Sequence, residues 1–339
     1  MSVQFKPVNN SLTILDRRRS RLTALDNTSQ PHVVWLNAAP APRSVVGGKA
    51  ASLSRLGAFG APVPPAFALT THAYAGFAAA HGLPRRAAEI DRTDLDGLRE
   101  AIMAAPLPAP VAEAVANALR EMHARAGGEV ALAVRSSGTA EDSAAFSFAG
   151  LHDTILDVRS IPALEAALKR CWASLWSDRA VSYRIDGGLD REVSEIAVVV
   201  QQLVRSDVSF VAFTAEPVTQ DDTRVVIDAT WGLGESIVSG LVVPDHITID
   251  ASGVVEDYAI GSKQLMVIPG KGPDDGTREV PVPRALQQMP ALSNDQATSI
   301  ANLARMLVDR FGHPLDLEGG LAGGQLHLFQ ARPITTLGR

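Results

Sequence analysis

From Glu195 the chain changes texture, and that change limits the folds open to it. Before it, Ala-rich stretches carry helical spacing. After it, short β-branched and apolar runs recur at 196–204, 208–214, 224–229 and 246–250, with turn residues between them. A helix-rich first half joined to a strand-rich second half predicts an α+β fold in two lobes. With 339 residues, 46% of them apolar, the chain has enough material for a large core.

The punctuation divides the chain further. Residues 1–43 read as an N-terminal extension and entry segment, 44–190 as a first lobe and 191–339 as a second. The extension carries Arg17, Arg18, Arg19 and Arg21 beside Asp16 and Asp26. It reads as a solvated or partner-docking tail in preference to a nucleic-acid arm. Gly47-Gly48-Lys49 opens a helix that Gly60 closes, and a further helix is expected over 71–81. Residues 85–127 read as helical scaffold broken by Pro106, Pro108 and Pro110. Strands are expected at 129–136 and 154–158, with a small, polar, mobile loop over 137–150 between them. Pro162 starts a helix whose stripe is Leu164, Leu168, Cys171 and Leu175. Ser293 caps a last helix running to Phe311, and 315–318 with 326–330 form a closing hairpin.

Composition excludes several classes. Lys+Arg 31 against Asp+Glu 37 leaves a net charge of −6, which gives no basic excess for a nucleic-acid backbone or an anionic membrane. The single cysteine, Cys171, sits on an apolar stripe, so neither a disulfide within the chain nor a thiolate zinc site is expected. A reducing cytoplasm is the simplest compartment. No apolar run has the length of a membrane span. The P-loop, the dinucleotide fingerprint, the nucleophile elbow and the H-E-x-x-H pair are all absent.

Four polar constellations remain. Lys49 follows two glycines at a helix start, a weak anion-binding signal for which a plain surface lysine is the favoured reading. Arg135 ends a strand and faces the loop Ser136-Ser137-Gly138-Thr139, which suits phosphate oxygens or is a plain surface loop. Gly232-Leu233-Gly234-Glu235 follows a strand and permits close backbone approach, or simply makes tight turns. On the closing hairpin Asp316 and Glu318 share one face, as do Gln330 and Arg332. Their oxygens suit Mg²⁺ and the arginine suits phosphoryl charge. A surface ion-pair ladder is the plain alternative.

Taken in order, Gly47-Gly-Lys-Ala-Ala-Ser-Leu53, Val134-Arg-Ser-Ser-Gly-Thr-Ala-Glu-Asp142, Ser147-Phe-Ala-Gly150, Gly232-Leu-Gly-Glu235 and Gln330-Ala-Arg-Pro-Ile-Thr335 resemble the nucleotide-binding domain of the phosphoenolpyruvate synthase, pyruvate phosphate dikinase and rifampicin phosphotransferase family. The resemblance covers residues 44–336. It implies an ATP-grasp-type fold whose two lobes clamp ATP. Lys49 and Arg135 would hold the phosphates and act in catalysis. Gly150, Thr154 and Gln201 would contact the nucleotide. Glu318 and Gln330 would hold Mg²⁺ and phosphate oxygens, Arg332 would stabilise the transferring phosphoryl, and Asp316 would support them. The family often has Gly where Phe210 stands, and an aromatic where Gly319 follows Glu318.

Relatives carry the phosphate on a swivelling-domain histidine in a Ser-His context, and none of the eight histidines here follows a serine. The resemblance therefore implies an ATP-binding subunit of a two-component phosphotransferase. It would pass a phosphoryl from Mg-ATP to a histidine on a separate subunit and release AMP and phosphate. The final acceptor would be a small molecule, a phenol first, with pyruvate or an antibiotic hydroxyl next. The alternative is a nucleotide-sensing module without phosphotransfer. A kinase acting directly on a small molecule is the third reading.

Overall fold

Strand alternation lets the central strands of the first sheet bury both faces: Phe67, Leu69, Val198 and Val200 enter one core, and Ala66, Ala68 and Val199 enter another. The computed structural model describes residues 30–37, 39–84, 94–139, 154–186, 195–215, 221 and 223–334. Residues 1–29 of the N-terminal extension, residues 140–150 of the expected loop and the lobe boundary at 190 lie outside the described residues.

The chain runs β1 (Val33–Trp35), α1 (Arg43–Ala58), β2 (Ala66–Leu69), α2 (Thr71–Ala80), α3 (Leu95–Ala104), α4 (Ala109–Ala126), β3 (Leu132–Gly138), β4 (Thr154–Val158), α5 (Ile161–Ser174), α6 (Asp178–Asp186) and β5 (Ile196–Gln202). These five strands form one sheet in the order β1-β2-β5-β3-β4, and every pairing in it is antiparallel. Leu132, Val134, Val198 and Val200 project from one face into a core. There they meet the α5 stripe of Leu164, Leu168 and Cys171 and the α4 stripe of Val111, Val115 and Leu119. Cys171 is fully buried there, as its stripe predicts. No single described helix is long and apolar enough to cross a membrane. The bent pair α3 and α4 passes by length and composition, but its apolar residues are spent on this core.

The second half adds β6 (Val208–Phe213), β7 (Val225–Trp231), α7 (Glu235–Val238), β8 (Asp245–Ile249), β9 (Val255–Ala259), β10 (Leu265–Pro269), β11 (Thr277–Pro281), α8 (Arg284–Gln287), α9 (Asn294–Phe311), β12 (Leu315–Ala322) and β13 (Gln325–Pro333). Its six-stranded sheet has the order β13-β12-β6-β7-β8-β9. The change of sheet thus falls between Gln202 and Val208. The α9 helix starts with a reciprocal cap. Ser293 Oγ accepts from the Gln296 amide at 3.2 Å, and Gln296 Oε1 accepts from the Ser293 amide at 2.8 Å. Ala297, Ile300, Ala304 and Leu307 then bury one face against Ile227, Ile247, Leu317 and Ala331. Burying one such aliphatic side chain contributes roughly 1.5–3 kcal/mol.

Behind β8 a fully buried ion pair joins Lys263 to Asp245. Asp245 also accepts from the amides of Gly261 and Ala291, at 2.9 and 2.7 Å, and so fastens three loops together. Tyr258 donates to Asp245 at 3.2 Å. Burial, with Asp245 beside it, pushes that phenol up to about 12, so it stays a donor.

The β10–β11 hairpin reaches from one sheet to the other. At its base the Leu233 amide donates to Val267 O at 2.8 Å. Gly232, at φ +78°, passes so near that a Cβ would lie 2.5 Å from that oxygen. Near its tip Asp274 Oδ1 accepts from the amides of Arg159 and Ser160, at 2.6 and 3.2 Å, just ahead of α5. Leu233 and Val267 pack with Ala133, Leu156 and Leu203 of the first half. This hairpin had no expectation from sequence, and neither did β1, β2 or β9.

Candidate functional site

The site begins with a glycine. Inside α1, Gly47 has φ +75° and ψ 176°, which breaks the helix into two pieces. A Cβ there would stand 2.0 Å from Ser137 O at the end of β3, so only glycine lets the two backbones meet. Ser137 Oγ donates to Val46 O at 2.9 Å and accepts from the Ala50 amide at 3.2 Å, clipping the restarted helix to the strand. Lys49, in that restarted turn, donates to Ser136 O at 3.0 Å. On the other side of α1, Ser52 Oγ donates to Ala331 O at 2.6 Å, on β13. One helix therefore sets β3 against β13.

Period-two alternation supplies the first wall. Arg135 pairs in register with Thr154 on β4, and Ala133 pairs with Gln201 on β5. Ala133, Arg135, Thr154, Leu156 and Gln201 share the face opposite the α5 core and line a cleft. The closing hairpin supplies the second wall. Its register sets Asp316 opposite Arg332 and Glu318 opposite Gln330, so the two pairs converge as the spacing predicts. Next to that pair the register shifts at Glu318/Gly319, leaving Phe329 outside the paired ladder. Phe329 then lines the same cleft as Gln330, which strict alternation forbids.

Charges meet where the walls meet. Arg332 Nη2 pairs with Glu318 Oε1, and Arg332 Nε lies 3.7 Å from Asp316 Oδ2. Arg135 Nη1 stands 3.6 Å from Glu318 Oε2 and donates to Gln330 Oε1 at 3.5 Å. The Glu318 side chain is only 15% exposed. Burial pushes its carboxyl up, but Arg332, Arg135 and Lys49 outweigh that and hold it below the ordinary 4.5. Several buried polar atoms at the cleft have no hydrogen-bond partner among the described residues: Arg135 Nε, Gln201 Nε2, Ser206 Oγ and Gln330 Nε2. Buried groups of this kind are completed by water or by a polar ligand.

The cleft and the solvent space at its mouth together amount to about 1190 Å³. Lys49, Arg135, Thr154, Gln201, Glu318, Gln330 and Arg332 all line it. Gly150 is outside the described residues. Asp316 stands behind, bound to Arg332. Sequence reasoning missed Leu203, Phe329 and the cleft-facing role of Glu235. The Phe210 and Gly319 departures turn out to be one feature. They are register partners, and a Cβ on Gly319 would lie 2.4 Å from Phe210 Cζ, so the β6 ring fills the space beside the bare backbone of β12.

Comparison with known proteins gives the family. Residues 43–339 match the family model described as pyruvate phosphate dikinase, AMP/ATP-binding domain. The chain belongs to this family. Its members' fold class is consistent with the α+β architecture described above. A rifampicin phosphotransferase from Streptomyces sp is 41% identical over an alignment of 304 residues, covering 86% of this chain and 34% of the relative. A phosphoenolpyruvate synthase from Pyrococcus furiosus is 35% identical over 344 residues, covering 86% of this chain and 42% of the relative. The prodigiosin synthesizing transferase PigC of Serratia marcescens is 37% identical over 312 residues, covering 92% and 32%. The chain thus spans about a third of the length of the relatives it matches. The matched family model is an AMP/ATP-binding domain, and the relatives that contain it are named as a phosphotransferase, a synthase and a transferase.

Proposed function

We propose that the chain clamps Mg-ATP between its two sheets, as an ATP-grasp domain does, and delivers a phosphoryl to a histidine on another subunit. The observation that carries this reading is the polarity of the cleft. Lys49, Arg135 and Arg332 gather at one end around Glu318 and Gln330, while Leu156, Leu203 and Leu233 line the other. Triphosphate suits the first end and a purine ring the second. Gln201, with its unpartnered buried amide, stands where a base edge can be read. Lys49 and Arg135 hold the phosphates, Thr154 and Gly150 contact the nucleotide, and Arg332 meets the phosphoryl in transfer.

The donor set fits a magnesium ion. The Glu318 carboxylate and the Gln330 amide oxygen are hard ligands that meet at one register pair. Mg²⁺, when bound, neutralises phosphate charge. Mg²⁺ takes one or two carboxylate or amide oxygens with the rest of its shell from phosphates and water. None of the described histidines lines the cleft, which favours an acceptor histidine brought in by a partner. In family fashion the β-phosphoryl moves, AMP and phosphate leave, and the partner passes the group on. A phenolic hydroxyl is the first acceptor to try, then pyruvate or an antibiotic hydroxyl.

Calorimetric titration with ATP, with and without Mg²⁺, tests the core of the reading. Binding that needs the metal is expected. Absence of binding, or binding indifferent to Mg²⁺, overturns it.

A further inference from the structure

The cleft holds a carboxylate that the phosphate chemistry leaves unused. Of the two acidic residues among its described lining, Glu318 is tied to Arg332 and Arg135. The other is Glu235, which opens the one-turn helix α7 directly after Leu233 and Gly234. Leu233 belongs to the apolar cluster of Ala133, Leu156 and Leu203 at the base-binding end. Gly234 backs onto Ser209, where a Cβ would sit 3.6 Å from the serine Cβ. Ser209 is two residues along β6 from Val211, the register partner of Glu318. Glu235 therefore lines the cleft next to the apolar end and beside the strand whose Val211 partners Glu318.

A nucleoside triphosphate carries its ribose at that point. A carboxylate repels phosphate oxygens and gains nothing from a purine face, but it accepts hydrogen bonds from hydroxyls. We propose that Glu235 accepts the 2′- and 3′-hydroxyl hydrogens of the nucleotide ribose and makes the cleft selective for ribonucleotides. The inference rests on the nucleotide reading above and adds a specificity residue to it. A site built to bond a hydroxyl rejects the analogue lacking it, because the carboxylate is then left unpaired. A hydrogen bond to a charged group corresponds to a change of about 10- to 100-fold in affinity.

The full chain is titrated with Mg²⁺ and either ATP or 2′,3′-dideoxy-ATP, before and after Glu235→Gln and Glu235→Ala. The unaltered chain is expected to prefer ATP by about 10-fold or more. Both variants are expected to lose that preference, mainly by weaker ATP binding, with thermal midpoints unchanged. A purely structural role would weaken both nucleotides together, so the ratio is the deciding readout. An unchanged ratio in both variants, or equal loss for the two nucleotides, overturns the proposal while leaving the ATP reading intact. Failure of the unaltered chain to bind ATP overturns both.

Discussion

At the residue scale, Arg332 and Glu318 carry the sharpest expectations. The guanidinium already faces two carboxylates, so it is positioned before any phosphate arrives. Losing one such preorganised donor costs roughly 10²–10³ in rate. Arg332→Ala should lower partner-dependent AMP formation by about that factor and weaken ATP binding much less. Arg332→Lys should rescue little, since a point charge does not replace a planar fork. The same substitution should change a pH profile. Burial alone pushes Glu318 up, and Arg332 is the leading charge that reverses this. With the carboxyl held low, its contribution is present above the ordinary value of 4.5 and is lost only as pH falls through the depressed one. In Arg332→Ala the acid limb of Mg-ATP binding should move to higher pH, read by nucleotide fluorescence from pH 4 to 7. An unmoved limb would show that Glu318 is not the titrating group. The sharing of a face by Asp316, Glu318, Gln330 and Arg332 was legible in sequence because strand alternation is strict. Phe329 was not, because a bulge obeys the partner strand and leaves no local mark. The Phe210–Gly319 fit was half legible: each residue stood out alone, and only the register joins them.

At the element scale, α1 and the β10–β11 hairpin do the joining. The α1 helix was legible from its glycines, but its start at Arg43 was not, since Gly47 reads as an opening and is in fact a kink. Gly47→Ala should destabilise the chain by about 2 kcal/mol or more, because the new Cβ meets backbone and the φ is unfavourable. Thermal unfolding measures this, and a shift of several degrees is expected. The hairpin escaped notice because its cue, a polar turn at Asp274-Asp275-Gly276, looks like any loop. Its work is tertiary. Asp274 satisfies two amides just ahead of α5, and a capping contact of this kind contributes about 0.5–2 kcal/mol. Asp274→Ala should lower stability by that amount. It should also raise the nucleotide off-rate, because the cluster of Leu156, Leu203 and Leu233 depends on the hairpin lying against the first sheet. Stopped-flow release of a fluorescent ATP analogue gives the rate, and an unchanged rate would make the contact a cap and nothing more.

At the scale of the whole molecule, what counts is where the histidines are. Seven of the eight are among the described residues: His32, His72, His81, His123, His246, His313 and His327. None lines the cleft. His246 carries the most suggestive contact, Nδ1 to Asp228 Oδ1 at 2.7 Å, on the sheet face that bears Glu318. Register sets His246 opposite Asp228, Asp228 opposite Val211 and Val211 opposite Glu318, which puts it three strands away. At about 4.8 Å a strand that is roughly 14 Å, well beyond the 3–3.5 Å an attacking nitrogen needs. On the proposed reading the cleft residues would hold and polarise a triphosphate, and none of the described histidines lines that cleft. Incubated alone with Mg²⁺ and ATP labelled at the β-phosphate, it should bind nucleotide, release AMP slowly and carry no acid-labile, base-stable label. Adding the histidine-bearing partner should produce rapid AMP formation and label on that partner only. A stable label on the isolated chain, retained in His246→Ala and lost in His152→Ala, would make His152, which lies outside the described residues, the acceptor and overturn the two-component reading.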